Sequence, residues 1–190
     1  MSVMVLAHPR PGDELRDPLG QSRTEALMEL QSARARAWAM TSFPAGTVQP
    51  RSGGLADVIS DPGLIGADDV FVVVTPELAT WSADLGRAAL DDLRAGCALS
   101  VGPIFDGGLY LLAATGAGLR LLGAGARGDA AADRVDLSGP AVLATLLGLA
   151  ERAGIEVGLL RTERGLRSAD DVRALLVDPL CDEELRGLLG

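Results

Sequence analysis

Two apolar runs joined by a glycine-rich crossing constrain this chain more than any other stretch. Cys97-Ala98-Leu99-Ser100-Val101 and Leu109-Tyr110-Leu111-Leu112-Ala113-Ala114 have the length and apolar content of buried strands. Gly102-Pro103-Ile104-Phe105-Asp106-Gly107-Gly108 crosses between them, punctuated by Pro103 and the glycine pair. The spacing predicts strand, tight turn, strand. A glycine pair beside an aspartate lets the backbone come close to a ligand and leaves the Asp106 carboxylate at a strand end with little bulk around it. Its plainest role is that of a turn residue accepting a backbone N–H; its alternative role is in a site.

The rest of the chain supplies the elements of an α/β layer protein. Ser2–Ala7 reads as an N-terminal buried strand followed by a proline-rich loop from His8 through Gly12, extended to Gly20. Gln21–Met40 has helical spacing with one apolar face, and Ala83–Gly96 is amphipathic with Gly96 as a natural C-cap. Between them, Asp69–Leu78 is the clearest strand, its apolar continuity arguing for a central parallel position ended by Pro76. Thr41–Gly54 shows no sustained period and reads as a loop with at most a short strand at Thr47-Val48, as though one sheet position had been trimmed; Leu55–Ser60 could form a short helix. Ala117–Gly123 suggests another short helix, Gly123–Asp133 a mobile loop, and Ala141–Ala153 a helix entered at Pro140 with Ser138 or Gly139 as cap. Ile155–Leu160 alternates as a last strand, and Ser168 with Asp171 forms a capping-box variant before a helix reaching Leu176.

Composition excludes several function classes. The formal net charge is −9 and the basic residues are scattered, so the electrostatic footprint of a nucleic-acid binder is missing. All 17 basic residues are arginine. Without lysine, neither a Schiff base nor a lysine–phosphate contact can form. Cys97 and Cys181 lack CxxC spacing and neighbouring histidines, which argues against zinc. No apolar run approaches a membrane span and no charged-then-apolar leader opens the chain, so a single cytoplasmic domain over residues 1–190 is expected. The sole histidine, His8, is more simply a turn residue than a general base.

Gly102-Pro103-x-x-Asp106-Gly107-Gly108-x-Tyr110-Leu111-Leu112 resembles the central motif of small bacterial transferases with the nucleotide-diphospho-sugar transferase (glycosyltransferase A) fold, some of them associated with arsenosugar-type biosynthesis. The resemblance implies a three-layer, Rossmann-like α/β fold, a mostly parallel central sheet with helices on both faces, and an active-site cleft at the Asp-Gly-Gly turn. It implies Asp106 as the catalytic carboxylate and Arg10, Gly12, Arg16, Gly107, Gly108 and Arg167 as nucleotide- or substrate-binding positions. Mg or Mn is expected in such a family, but this chain departs from the pattern where the metal would be held. Val74 stands where the family's strand-end aspartate stands, and Gly165 and Arg167 replace the aspartates of its C-terminal Asp-Val-Asp run. The opening loop is shortened and acidic, and Gly53-Gly54-Leu55-Ala56 lacks the family's acid. Thr75 and Glu77 are neighbours that could stand in as ligands, although an acid after a proline is more simply a turn or helix-entry residue.

Two readings follow from the resemblance, beside a third in which the likeness is accidental and the chain is another Rossmann-like domain. One is a transferase on a nucleotide-linked substrate that works without a metal, Arg167 occupying the cation's position with help from Arg10 and Arg16. The other is a catalytically inactive relative kept as a binding or assembly subunit. Convergence of Asp106, Arg167 and the loop at Arg10 to Arg16 on one cleft would favour the first. A trimmed sheet edge would make a homodimer plausible, and neither nucleic acid nor membrane is expected as a partner.

Overall fold

The structure is a computed structural model that describes residues 1–6, 13–51, 69–126, 141–179 and 181–190. Its centre is a six-stranded sheet in the order β2-β1-β3-β5-β4-β6, built from β1 (Ser2–Leu6), β2 (Thr47–Arg51), β3 (Val70–Val74), β4 (Leu99–Pro103), β5 (Leu109–Thr115) and β6 (Val157–Leu159). Every neighbouring pair is parallel except those made by β5, which runs antiparallel to both β3 and β4. From β1 the chain moves outward to β2 and returns to β3 on the other side of β1. That reversal is a topological switch point, and crevices that take ligands in such sheets open beyond the carboxyl ends of the strands beside it.

Helices cover both faces. On one, α4 (Gly116–Ala126) and α5 (Val142–Ala153) pack Leu119, Leu122, Leu146 and Leu149 against Phe71, Val73, Leu99, Val101 and Leu112. On the other, α2 (Gln21–Ser42) with its C-cap Phe43 and α3 (Ala83–Ala95) set Ala35, Trp38, Phe43, Leu85 and Ala89 against Val3, Val72, Val74, Tyr110 and Leu111. Successive β3 residues thus serve opposite layers, which is why the strand is apolar throughout. Val74 belongs to this core, fully buried. A third apolar cluster gathers α1 (Asp13–Leu19), α2, α6 (Ala169–Leu176) and α7 (Glu183–Leu189) around Leu15, Leu19, Leu27, Val172, Leu175, Cys181 and Leu185, and draws in Ala79 and Leu166 from two loops.

Two expectations are corrected. The sheet is not trimmed: β2 pairs with β1 over five residues, Thr47 through Arg51. It forms despite Pro50 because an edge strand tolerates a missing ladder donor, and its presence removes the argument for a partner chain at that edge. Asp13–Leu19, expected as loop, is helical. Leu15 and Leu19, one helical turn apart, are both buried, and Thr24 closes the junction by donating its hydroxyl to the Leu15 and Gly20 carbonyls at 3.3 and 2.8 Å. The expected helix at Leu55–Ser60 and the caps at Ser138, Gly139 and Pro140 lie outside the described residues, as does most of Gly123–Asp133; its first residues belong to α4. Among the described residues no helix is long and apolar enough to cross a membrane.

Candidate active site

Three segments leaving the carboxyl ends of β3, β4 and β6 meet. The first is the run Thr75-Pro76-Glu77 beyond β3. Thr75 is fixed to the head of β5: its N–H donates to the Tyr110 carbonyl at 3.1 Å and its hydroxyl to the Leu109 carbonyl at 2.6 Å. Farther on, Ala79 enters the third cluster, Trp81 stacks on Trp38 with ring centroids 4.6 Å apart, and the Trp38 indole N–H donates to the Ser82 carbonyl at 2.9 Å. Held at both ends, this loop places Glu77 inside the protein with only 2% of its surface exposed.

The second segment is the crossing from β4 to β5. The Ile104 N–H donates to the Gly108 carbonyl and the Gly107 N–H to the Ile104 carbonyl, both at 2.9 Å, with Gly107 in the left-handed region at φ 90°. Asp106 accepts the Gly108 N–H on Oδ1 at 2.9 Å, the turn role the residue pattern suggests. That leaves Oδ2 for another partner. Upstream, Gly102 gives its space to the Tyr110 ring, whose Cζ would lie 2.3 Å from any Cβ there. The buried Tyr110 hydroxyl donates to the Arg161 carbonyl at 3.1 Å, and burial, reinforced by the charge of Glu163, pushes its pKa up.

The third segment is the loop from β6 to α6. It is stitched to the second by the Phe105 N–H donating to the Glu163 carbonyl at 3.2 Å and the Glu163 N–H donating to the Pro103 carbonyl at 3.0 Å. It is stitched to the first by the Leu166 N–H donating to the Glu77 carbonyl at 2.8 Å and by an antiparallel bridge between Leu78 and Gly165. Leu166, fully buried, anchors it in the third cluster. At its end the Ser168–Asp171 capping box starts α6, and Asp171 also accepts the Arg167 N–H at 3.1 Å.

This framework aims Arg167 between the other two segments. Nη1 donates to Asp106 Oδ2 at 2.8 Å, and Nη2 donates to Glu77 Oε2. The seat is tight: a Cβ on Gly108 would fall 2.6 Å from Nη1 and 3.1 Å from Asp106 Oδ1. The second glycine of the pair therefore makes room for the arginine. Burial works against the charged guanidinium, but the charge of Glu77 and the hydrogen bonds to both carboxylates outweigh it and raise the Arg167 pKa above its ordinary value. Two carboxylates against one guanidinium leave the triad with a formal excess of one negative charge. Beside it Arg164 lies over the exposed Phe105 ring, 5.8 Å from the centroid, and 3.5 Å from Asp171.

Of the positions singled out in the sequence, Asp106, Gly107, Gly108 and Arg167 come together. Arg16 is exposed on α1, and the polar contacts of the triad do not include it. Arg10, Gly12 and His8 lie outside the described residues. The residue that sequence reasoning undervalued is Glu77. Its signal was positional: an acid directly after the proline that ends a central strand, beside the switch point of the sheet.

The donor set does not fit the divalent metal that the resemblance implies. A hard cation of this kind takes about six or more oxygen ligands. Val74 offers none, and the space between the two available carboxylates is filled by a guanidinium. Among the described residues no group of three or more His, Cys, Asp or Glu side chains is placed to hold a metal.

No protein-family model matches the chain, and no curated protein matches it. Among solved structures it is similar to a "putative nucleotide-diphospho-sugar transferase" from Desulfovibrio desulfuricans G20, with a TM-score of 0.67 and 17% sequence identity over 100% of this chain and 94% of that one. The fold is thus the three-layer α/β fold of nucleotide-diphospho-sugar transferases.

Proposed function

We propose that this protein is a divergent nucleotide-diphospho-sugar transferase, a glycosyl- or nucleotidyltransferase-like protein that takes a nucleotide-linked substrate beyond the carboxyl ends of β3, β4 and β6. The observation that carries the reading is the meeting of Asp106, Glu77 and Arg167 beyond the carboxyl ends of three strands, where sheets of this kind bind ligands. Group transfer from a nucleotide-linked donor builds negative charge on the leaving diphosphate, which a positioned cation must offset. Arg167 supplies a fixed cation there, with Arg10 and Arg16 as auxiliary phosphate contacts and Asp106 as the carboxylate facing the substrate. The likeness to the arsenosugar-associated branch rests on the Gly102–Leu112 motif.

A second reading is favoured by one specific feature: both terminal nitrogens of Arg167 are engaged by carboxylates, so the triad as a whole repels rather than attracts an anion. On that reading the chain is a catalytically inactive relative that serves as a binding or assembly subunit. Calorimetric titration with nucleoside diphosphates and nucleotide sugars, followed by an assay for nucleotide release, separates the two. Binding with turnover supports the transferase. Binding without turnover, or none at all, supports the inactive relative.

A further inference from the structure

We infer that Phe105 is a binding platform for the acceptor of the proposed transfer, and that this acceptor is an uncharged sugar, a hexopyranoside. Of the chain's six aromatic residues, three Phe, two Trp and one Tyr, Trp38, Phe43, Phe71 and Tyr110 are buried and Trp81 is half-buried, whereas Phe105 is 71% exposed. It is held in that position. Its own N–H donates to the Glu163 carbonyl at 3.2 Å, its neighbour Ile104 is buried in the core, and the Leu143 N–H at the start of α5 donates to the Gly107 carbonyl at 3.1 Å. A ring presented to water from so fixed a backbone loses little freedom when a ligand covers it. The groups beside it alternate in hydrogen-bonding character. Asp106, the next residue, is a carboxylate at 41% exposure, and the Arg164 guanidinium lies 5.8 Å from the ring centroid and 3.5 Å from Asp171. A pyranose has the matching surface: a face of carbon-bound hydrogens to lie on an aromatic ring, and a rim of hydroxyls that each donate and accept. Such a hydroxyl serves carboxylate and guanidinium alike, whereas the edge of a planar base has its donors and acceptors fixed. Charge narrows the class further. Arg164 and Asp171 add one charge of each sign, so the triad's excess of one negative charge persists beside the ring and disfavours an anionic sugar. Naming this sugar the acceptor rests on the transferase reading above; its seat on Phe105 does not.

The test is the binding of methyl glucoside, methyl mannoside and methyl galactoside to the full chain with no nucleotide present, read by saturation-transfer and chemical-shift titration in nuclear magnetic resonance. At least one glycoside is expected to bind wild type, with transfer strongest at its ring hydrogens. Phe105→Ala should bind it at least about tenfold more weakly, the usual size of one lost stacking contact, and Phe105→Trp should restore binding. Because Phe105 lies outside the core, both variants should melt within about 2 °C of wild type, which separates lost binding from lost fold. The corresponding glucuronide and sugar 6-phosphate should bind more weakly than the glycoside. The inference is overturned if no glycoside binds, if Phe105→Ala binds as well as wild type, or if an anionic sugar or a nucleoside takes the ring in preference. Displacement of the glycoside by a nucleotide sugar would give the seat to the donor's sugar and overturn the acceptor assignment. Failure of nucleotides to bind in separate titrations, with Phe105-dependent glycoside binding intact, would overturn the transferase reading and leave the platform standing.

Discussion

Arg167 Nη1 donates to Asp106 Oδ2 at 2.8 Å, closing a link between the loop after β6 and the turn after β4. Through Nη2 the same side chain reaches Glu77 beyond β3, so one arginine holds three strand ends in register.

Arg167→Ala should be strongly destabilising. It leaves the Glu77 carboxylate buried without its cation, a change that typically costs about 3–5 kcal/mol. Arg167→Lys should recover little of this, because an ammonium lacks the planar fork that spans two carboxylates. Equilibrium urea unfolding of the three proteins measures both values; equal stability of Arg167→Ala and wild type would contradict the role assigned to the ion pair.

Gly108→Ala should lower stability by about 1–3 kcal/mol, the usual cost of overpacking. The added methyl would meet Arg167 Nη1 at 2.6 Å. Because the clash needs the arginine, the loss should shrink when Arg167→Ala is already present, a coupling that a double-mutant cycle reads directly. Simple additivity would show that the guanidinium is not seated against Gly108.

Ser168→Ala should cost about 1 kcal/mol by removing the N-cap of α6. The Ser168 hydroxyl accepts the Asp171 N–H at 3.2 Å, and Asp171 in turn accepts the Ser168 N–H at 3.0 Å. Since Asp171 also accepts the Arg167 N–H, ligand affinity at the triad should fall together with thermal stability, measured by melting and by calorimetry on the same variant.

Acid should weaken the junction between α2 and α7. The hydrogen bond from Arg34, aided by the Leu185 N–H and opposed by burial, holds the Asp182 carboxyl down to about 2. A depressed folded value means that its contribution is present above the ordinary unfolded value of about 3.9 and is lost as pH falls through the folded one. Asp182 is 48% exposed, so solvent screening keeps the contribution below about 1 kcal/mol. Melting curves between pH 5 and pH 2 should fall less steeply for Asp182→Asn than for wild type.

Much of the fold was legible because its signals are local and redundant. β3 is apolar on both faces, Gly96 ends α3 in the left-handed region at φ 111°, and Ser168 with Asp171 marks a helix start. Only the start of β2, Thr47-Val48, was legible, because Pro50 and the surrounding turn residues suppress strand propensity, while its full length depends on pairing with β1, which no local window contains. α1 escaped because seven residues with a proline are a poor helix alone; burial of Leu15 and Leu19 against elements far along the chain makes the difference. At the site, Asp106 and the glycine pair announced themselves as a turn. The partnership of Glu77 with Arg167, 90 positions apart, is a tertiary fact. An acid after a proline and an arginine before a capping box each have ordinary explanations until the sheet order brings them together.

The most direct test of the account is calorimetric titration of the wild-type protein with a nucleotide sugar and with nucleoside diphosphates, in excess EDTA and again in Mg²⁺ or Mn²⁺. Binding of equal affinity with and without metal, lost in Arg167→Ala in EDTA, is the result predicted for a nucleotide-linked site whose cation is an arginine. Binding that appears only with metal, or no binding under either condition, would contradict it.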